Sequence, residues 1–140
     1  MKRAKRGPEI IFVILILAVL CACGGGGTVR DAVIVPVQSD IYTEKEIDDA
    51  AKTAIRYFAR EFSGCTLKEI QYIGDEKAES FREWAEQYDA DEAIILTSTF
   101  DVDASGGDGS LNPNSTYRNW QWILVRDGVG GWRHVTHGYG

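Results

Sequence analysis

Apolar residues along this chain fall into an unbroken run, a helical stripe and a series of alternating stretches. The unbroken run is Ile10 to Leu20, "IIFVILILAVL", three residues after the basic segment Met1-Lys2-Arg3-Ala4-Lys5-Arg6. It is shorter than the ~20 residues a helix needs to span a bilayer. A basic start, an apolar run of this length and small residues after it make an export signal. The helical stripe is Ile47, Ala50, Ala51, Ala54, Ile55, Phe58, Ala59 and Phe62, whose spacing keeps one face of a helix apolar. Thr43 and Glu46 stand where a capping box would start that helix, and Ser63-Gly64 would end it, glycine being free to turn left-handed. The expectation is a packed helix over 43–62 with Ile47, Ile55, Phe58 and Phe62 buried.

The alternating stretches predict strands. "CTLKEIQYI" (65–73) alternates imperfectly, "AIILTSTFDVD" (93–103) is β-branched, and "YRNWQWILVRD" and "WRHVTHGY" flank the turn "GVGG", which makes a hairpin. Between the first two strands, Gly74-Asp75 should turn the chain and cap a second helix with Ala78, Phe81, Trp84, Ala85 and Tyr88 on one face. Residues 104–116 read as a long loop. Val33 to Val37 has strand composition, but Pro36 restricts it to an edge strand or an extended linker. Strands and helices do not alternate strictly, which favours α+β with an antiparallel sheet over a doubly wound parallel one.

Leu20-Cys21-Ala22-Cys23 at the end of the apolar run resembles the lipobox of bacterial lipoproteins. The resemblance implies that Cys23 is acylated and becomes the mature N-terminus; cysteine at position 21 is its one departure from the usual pattern. Two or more acyl chains hold a protein firmly at a bilayer, at ~0.8 kcal/mol per buried methylene. The chain then divides into a signal peptide (1–22), a glycine-rich tether and extended linker (23–40) and one α+β domain (41–140). Its expected place is outside the cytoplasm, at the cell surface, with the membrane as a partner through the lipid.

Charge follows from that division. Residues 1–22 carry four of the 15 Lys/Arg and one of the 21 Asp/Glu, so the full chain's −6 becomes −9 in the mature part. Such acidity argues against nucleic acid and anionic lipid as partners. With Cys21 removed and Cys23 acylated, Cys65 alone remains, and the fold must be held by its core.

A long N-terminal helix, a shorter helix and a terminal antiparallel sheet resemble the cystatin-like and nuclear-transport-factor-2-like cone folds. The closing stretch "NWQWILVRDGVGGWRHVTHGYG" is similar to the end of small uncharacterised lipoproteins of low-GC Gram-positive bacteria. Cone folds host enzymes, binding modules and interaction domains alike, so function must be argued from the residues.

Those residues suggest a ligand cleft before they suggest catalysis. Trp120 and Trp122 share a strand face, with Tyr117 upstream and Trp132 across the turn. They form either the core under the helices or the wall of a cleft in which Asp101 or His137 supplies polar groups. Asp101, Asp103, Ser105 and Gly106 occupy the first, third, fifth and sixth places of an EF-hand-like loop, but Asn112 stands where the bidentate glutamate should be, leaving at best a weak calcium site. Cys65 reads as a small buried hydrophobe. His134 and His137, three apart on a strand, should point to opposite faces. A four-residue "GVGG" loop would pair Trp122 with His137, Leu124 with Val135 and Trp120 with Tyr139. A three-residue loop would instead pair Trp122 with Thr136 and Leu124 with His134, and the first register is favoured because it continues an apolar face. No cofactor motif is present. The expectation is a non-catalytic lipoprotein domain that binds an unknown protein or a small ligand. The alternatives are an enzyme of the steroid-isomerase kind, with Asp101 as base and Tyr117 or His137 as donor, and a weak calcium-dependent surface module.

Overall fold

The computed structural model describes residues 26–139. The chain is α+β. Strand β1 (Val33–Val35) precedes helix α1 (Glu44–Glu61). Strand β2 (Cys65–Tyr72) leads through a 3-10 turn (Asp75–Lys77) into helix α2 (Ala78–Gln87), and strands β3 (Glu92–Val102), β4 (Thr116–Arg126) and β5 (Arg133–Tyr139) follow. The sheet is in sequence order, with β1 parallel to β2 and every other pair antiparallel. Among the described residues the first regular element is therefore a strand. The long helix comes second, and the sheet is mixed.

Helix α1 begins as its capping box dictates: Thr43 Oγ1 accepts from the Glu46 amide at 3.1 Å, and Glu46 Oε1 accepts from the Thr43 amide at 2.8 Å. Two orphan amides of the first turn are thereby satisfied. Ile47, Ala50, Ala51, Ala54, Phe58 and the capping residue Phe62 are buried, while Ile55 is only half-buried. Small alanines at the centre of the stripe let the helix approach the sheet, and α1 packs on β2, β4 and β5. The buried sheet face beneath it carries Leu67, Ile70, Leu96, Phe100, Trp122 and Leu124. Helix α2 packs on β3 and β4, with Phe81 against Tyr42 and Tyr72.

Three bulges shape the sheet, and each places two residues three apart on the same face. The register of β2 on β3 shifts between Leu67 and Glu69, so Leu67 and Ile70 are both buried, which explains the imperfect alternation of this stretch. The register of β3 on β4 shifts between Ser98 and Phe100. Asn119 takes a left-handed φ of 59° there, and Tyr117 turns to the same face as Trp120. The register of β5 on β4 shifts between Ile123 and Leu124, leaving Val135 without a partner.

The last bulge reconciles the two hairpin registers. Trp120↔Tyr139 and Trp122↔His137 follow the four-residue loop, whereas Leu124↔His134 and Val125↔Arg133 follow the three-residue one. Leu124 thus faces His134, not Val135. His134 and His137 lie on one face instead of opposite faces, because a strict period of two holds only where the ladder is unbroken.

Two further expectations change. The segment 26–40 packs on the domain: the Gly27 amide donates to the Ala59 carbonyl at 3.0 Å, Thr28 bridges Thr66, and β1 joins the sheet edge. Folded structure therefore begins before residue 41. Asp75 does not cap α2; its carboxylate accepts from Ser39 Oγ (2.6 Å), the Asp40 amide (2.7 Å) and the Tyr72 hydroxyl (2.7 Å), clasping the approach to α1 onto β2.

Candidate functional site

The third bulge builds the site. His134 Nε2 and His137 Nδ1 stand 3.1 Å apart, one donating to the other according to tautomer. The pair lies under α1, whose Tyr57 ring is 4.0 Å from His134 and 5.5 Å from His137, centre to centre. Trp122 lies 5.2 Å and Trp120 5.9 Å from the His137 ring, and Phe62 closes the group at 5.3 Å. Burial of each imidazole in this aromatic nest disfavours its charged form. His134 is lowered from 6.5 to about 4, by burial first and then by His137 and Arg60. Burial lowers His137 as well.

A cleft of about 280 Å³ opens beside this nest. Tyr57, Glu61, Phe62 and Ser63 from the end of α1 form one side; Trp120 and His137 from the hairpin form another. Asp108, Ser110 and Leu111 of the long loop close the third, and Cys65 lies at its edge. Trp120 Nε1 is the one buried side-chain polar atom without a partner among the described residues. A buried unpartnered donor costs ~1–3 kcal/mol, so Trp120 Nε1 is a group that a partner in the cleft could satisfy. A second groove, about 450 Å³, runs along residues 34–39 and the start of α1, but it holds none of the site residues predicted from sequence.

The structure brings together Tyr117, Trp120, Trp122 and His137. Tyr117 stacks on Phe100 at 5.2 Å and meets Trp120 at 5.5 Å, while its hydroxyl accepts from the Asn112 amide and so pins the long loop beside the cleft. Trp122 belongs to the core: it is fully buried and donates from Nε1 to Ser98 Oγ at 2.8 Å. Trp120 is the ring that lines the cleft. Trp132 lies elsewhere, against Tyr42 near the start of α1.

Asp101 is not part of this group. It pairs with Thr116 across the ladder, accepts from Thr116 Oγ1 at 2.7 Å and sits 3.8 Å from Lys68 Nζ, on the sheet face opposite Phe100. Asp103 is engaged by the amide and hydroxyl of Ser105. Asp103 and Ser105 bond each other while Asp101 is engaged with Thr116 and Lys68, and among the described residues no three His, Cys, Asp or Glu side chains gather at metal-binding distance. Cys65 is buried, and its thiol is pushed up to about 11 by burial and by the charges of Asp103 and Asp108, which makes it a poor nucleophile at neutral pH.

Sequence reasoning missed His134, Tyr57 and Glu61. The helix period could have found the last two, since Tyr57 and Glu61 are four apart and share a flank of α1. Only the bulge exposes the role of His134. Cys23 lies outside the described residues, as does the whole lipobox. The chain matches no protein-family model, and comparison with curated proteins and with solved structures finds no significant match.

Proposed function

We propose that this chain is a lipoprotein anchored outside the cytoplasm through acylated Cys23, with a non-catalytic domain that takes a small ligand in the cleft between α1, the hairpin and the long loop. One observation carries the binding part: four rings, Tyr57, Phe62, Trp120 and His137, meet at an open cleft of about 280 Å³. Pockets of roughly this size and make-up, aromatic with a few polar groups, are where small ligands bind. The catalytic alternative needs a carboxylate held protonated in an apolar pocket. The carboxylates here with displaced pKa values, Glu46, Asp75, Asp103 and Asp108, are all lowered, and Asp101 faces away from the rings.

The anchoring part rests on the sequence order of basic segment, apolar run and lipobox. No helix among the described residues is long and apolar enough to cross a membrane; in this reading the lipid on Cys23 attaches the chain. A cone-like architecture of the cystatin and nuclear-transport-factor-2 kind belongs to the same proposal. It is supported by a long helix laid over antiparallel strands with an aromatic cleft at one end.

The test of the anchor is labelled palmitate: the wild-type chain should incorporate it and fractionate with membranes, whereas Cys23→Ser should do neither and should keep its leader. Palmitate incorporation by Cys23→Ser would refute this assignment.

A further inference from the structure

The walls of the cleft point to a ligand charge as well as a ligand size. Its acidic groups are Glu61 and Asp108, its other polar side chains are the hydroxyls of Tyr57, Ser63 and Ser110, the Cys65 thiol, the Trp120 indole and the His137 imidazole, and no lysine or arginine lines it. Asp108 is kept ionised by the Ser110 amide (3.1 Å) and hydroxyl (2.6 Å) that donate to it. Glu61 is paired with its neighbour Arg60 at 3.2 Å. The imidazoles, favoured in their neutral form by burial, add no opposing charge; the one neighbouring cation that acts on either is Arg60, at His134.

The molecule supplies its own precedents for what such a setting holds. At the far end of the sheet, the Arg126 guanidinium lies 4.3 Å from the Trp132 ring centre between the carboxylates of Glu46 and Glu92. At the cleft wall, Arg60 lies 5.5 Å from the Tyr57 ring centre beside Glu61. In both places an aromatic face and a carboxylate hold a cation; in the cleft the Phe62 and Trp120 rings and the Asp108 carboxylate offer the same groups, and among the described residues no side-chain cation pairs with Asp108 or lies over those two rings. Aromatic faces attract cations through the ring quadrupole, most strongly when desolvated.

We propose that the cleft binds a small organic ammonium ion, with its charge between the Tyr57, Phe62 and Trp120 rings and the Asp108 and Glu61 carboxylates. This deepens the binding reading above and rests on it. Ring faces set the depth of the ligand, and the carboxylates set its sign. A neutral ligand of the same shape would gain the apolar contact alone.

The experiment titrates the full chain, solubilised in a non-ionic polyoxyethylene detergent, with choline, with its uncharged isostere 3,3-dimethylbutan-1-ol and with glucose. Saturation-transfer NMR of the ligands and tryptophan emission provide the readouts. Choline should bind about tenfold or more tightly than the isostere, and Asp108→Asn with Glu61→Gln should weaken choline about tenfold while leaving the isostere unchanged. Added salt should weaken choline binding alone. Equal or tighter binding of the isostere or of glucose would overturn the ammonium assignment while leaving the cleft a binding site. Binding of none of the three would overturn both readings. Choline binding that survives the double substitution unchanged would place the ligand outside this cleft.

Discussion

The two ends of the sheet solve the same problem differently. At one end, Arg126 bonds Glu46 at 2.5 Å and Glu92 at 2.6 Å, Trp132 Nε1 donates to the Glu46 carbonyl at 3.1 Å, and the buried Tyr42 hydroxyl donates to the Ala93 carbonyl at 2.7 Å. Burial works against the Arg126 charge, and the two carboxylates more than offset it. Tyr42 is pushed up to about 12 by burial and by Glu92, so it stays protonated and keeps donating. At the other end, two imidazoles bond chiefly to each other and Trp120 Nε1 bonds to nothing. The first end is closed and satisfied, and it joins the start of α1 to the hairpin. The second is open and left short of partners, as natural proteins leave the places where something else is to bind.

Breaking the closed end should cost most. Arg126→Met leaves two carboxylates beside Trp132 without their cation, a loss of about 2–4 kcal/mol for a partly buried cluster. Urea denaturation should show it as a lower midpoint with unchanged slope. A loss below about 1 kcal/mol would mean that the cluster is merely a surface pair.

The open end should show itself through pH. His134 and His137 have native pKa values below the unfolded 6.5, so the native state favours neutral imidazole. Their contribution is complete above pH 6.5 and is lost as the pH falls through the native value, about 4 for His134, because the unfolded chain takes up its protons first. Since the rings are only half-buried, the loss should be on the order of 1–2 kcal/mol, with apparent values belonging to the pair. The lowered carboxylates of Glu46, Asp75, Asp103 and Asp108 act in a lower window, beneath their ordinary 4.5 and 3.8. His134→Gln should therefore flatten the stability profile between pH 6.5 and 4 and leave the steeper fall beneath it. An unchanged profile would mean that the imidazoles are hydrated.

The smallest effect compares one indole at each end. Trp132→Phe removes a donor from a made hydrogen bond, whereas Trp120→Phe removes a donor that has none. The loss of ring volume is similar, so Trp132→Phe should be the worse of the two by about 1–2 kcal/mol. Equal losses would show that water or a neighbouring ring already satisfies Trp120.

Legibility from sequence followed the same divide. At the closed end the helix start is local in origin, since Thr43 and Glu46 announce it three residues apart and the stripe from Ile47 to Phe62 follows a single period, whereas the Arg126 cluster joins residues distant in sequence and was not read. The open end depends on breaks in periodicity. A hairpin read with one register must choose between His134 and His137, and only the unpartnered Val135 lets both serve. Tyr117 likewise joins Trp120 only through the twist at Asn119. Nothing in loop length or composition announces a bulge, because its cost is repaid by contacts distant in sequence, here the rings of α1. Asp101 illustrates the converse error: its type suited a pocket, but ladder pairing with Thr116 turned it to the other face.

The docked glycines set a working radius. A Cβ on Gly26 or Gly27 would collide with the backbone of Ala59 or of Phe58, so the chain is fixed to the end of α1 from that point onward. Cys23 precedes Gly26 by three residues, a reach of about 10 Å when fully extended. If acyl chains hold Cys23 in a bilayer, the domain lives on a short leash, and the end of α1 that shapes the cleft is the part held nearest the lipid. Any ligand must then arrive through the crowded layer of water above the headgroups, and a longer leash, made by inserting glycines after Gly25, would change how far from the surface the protein can look for it.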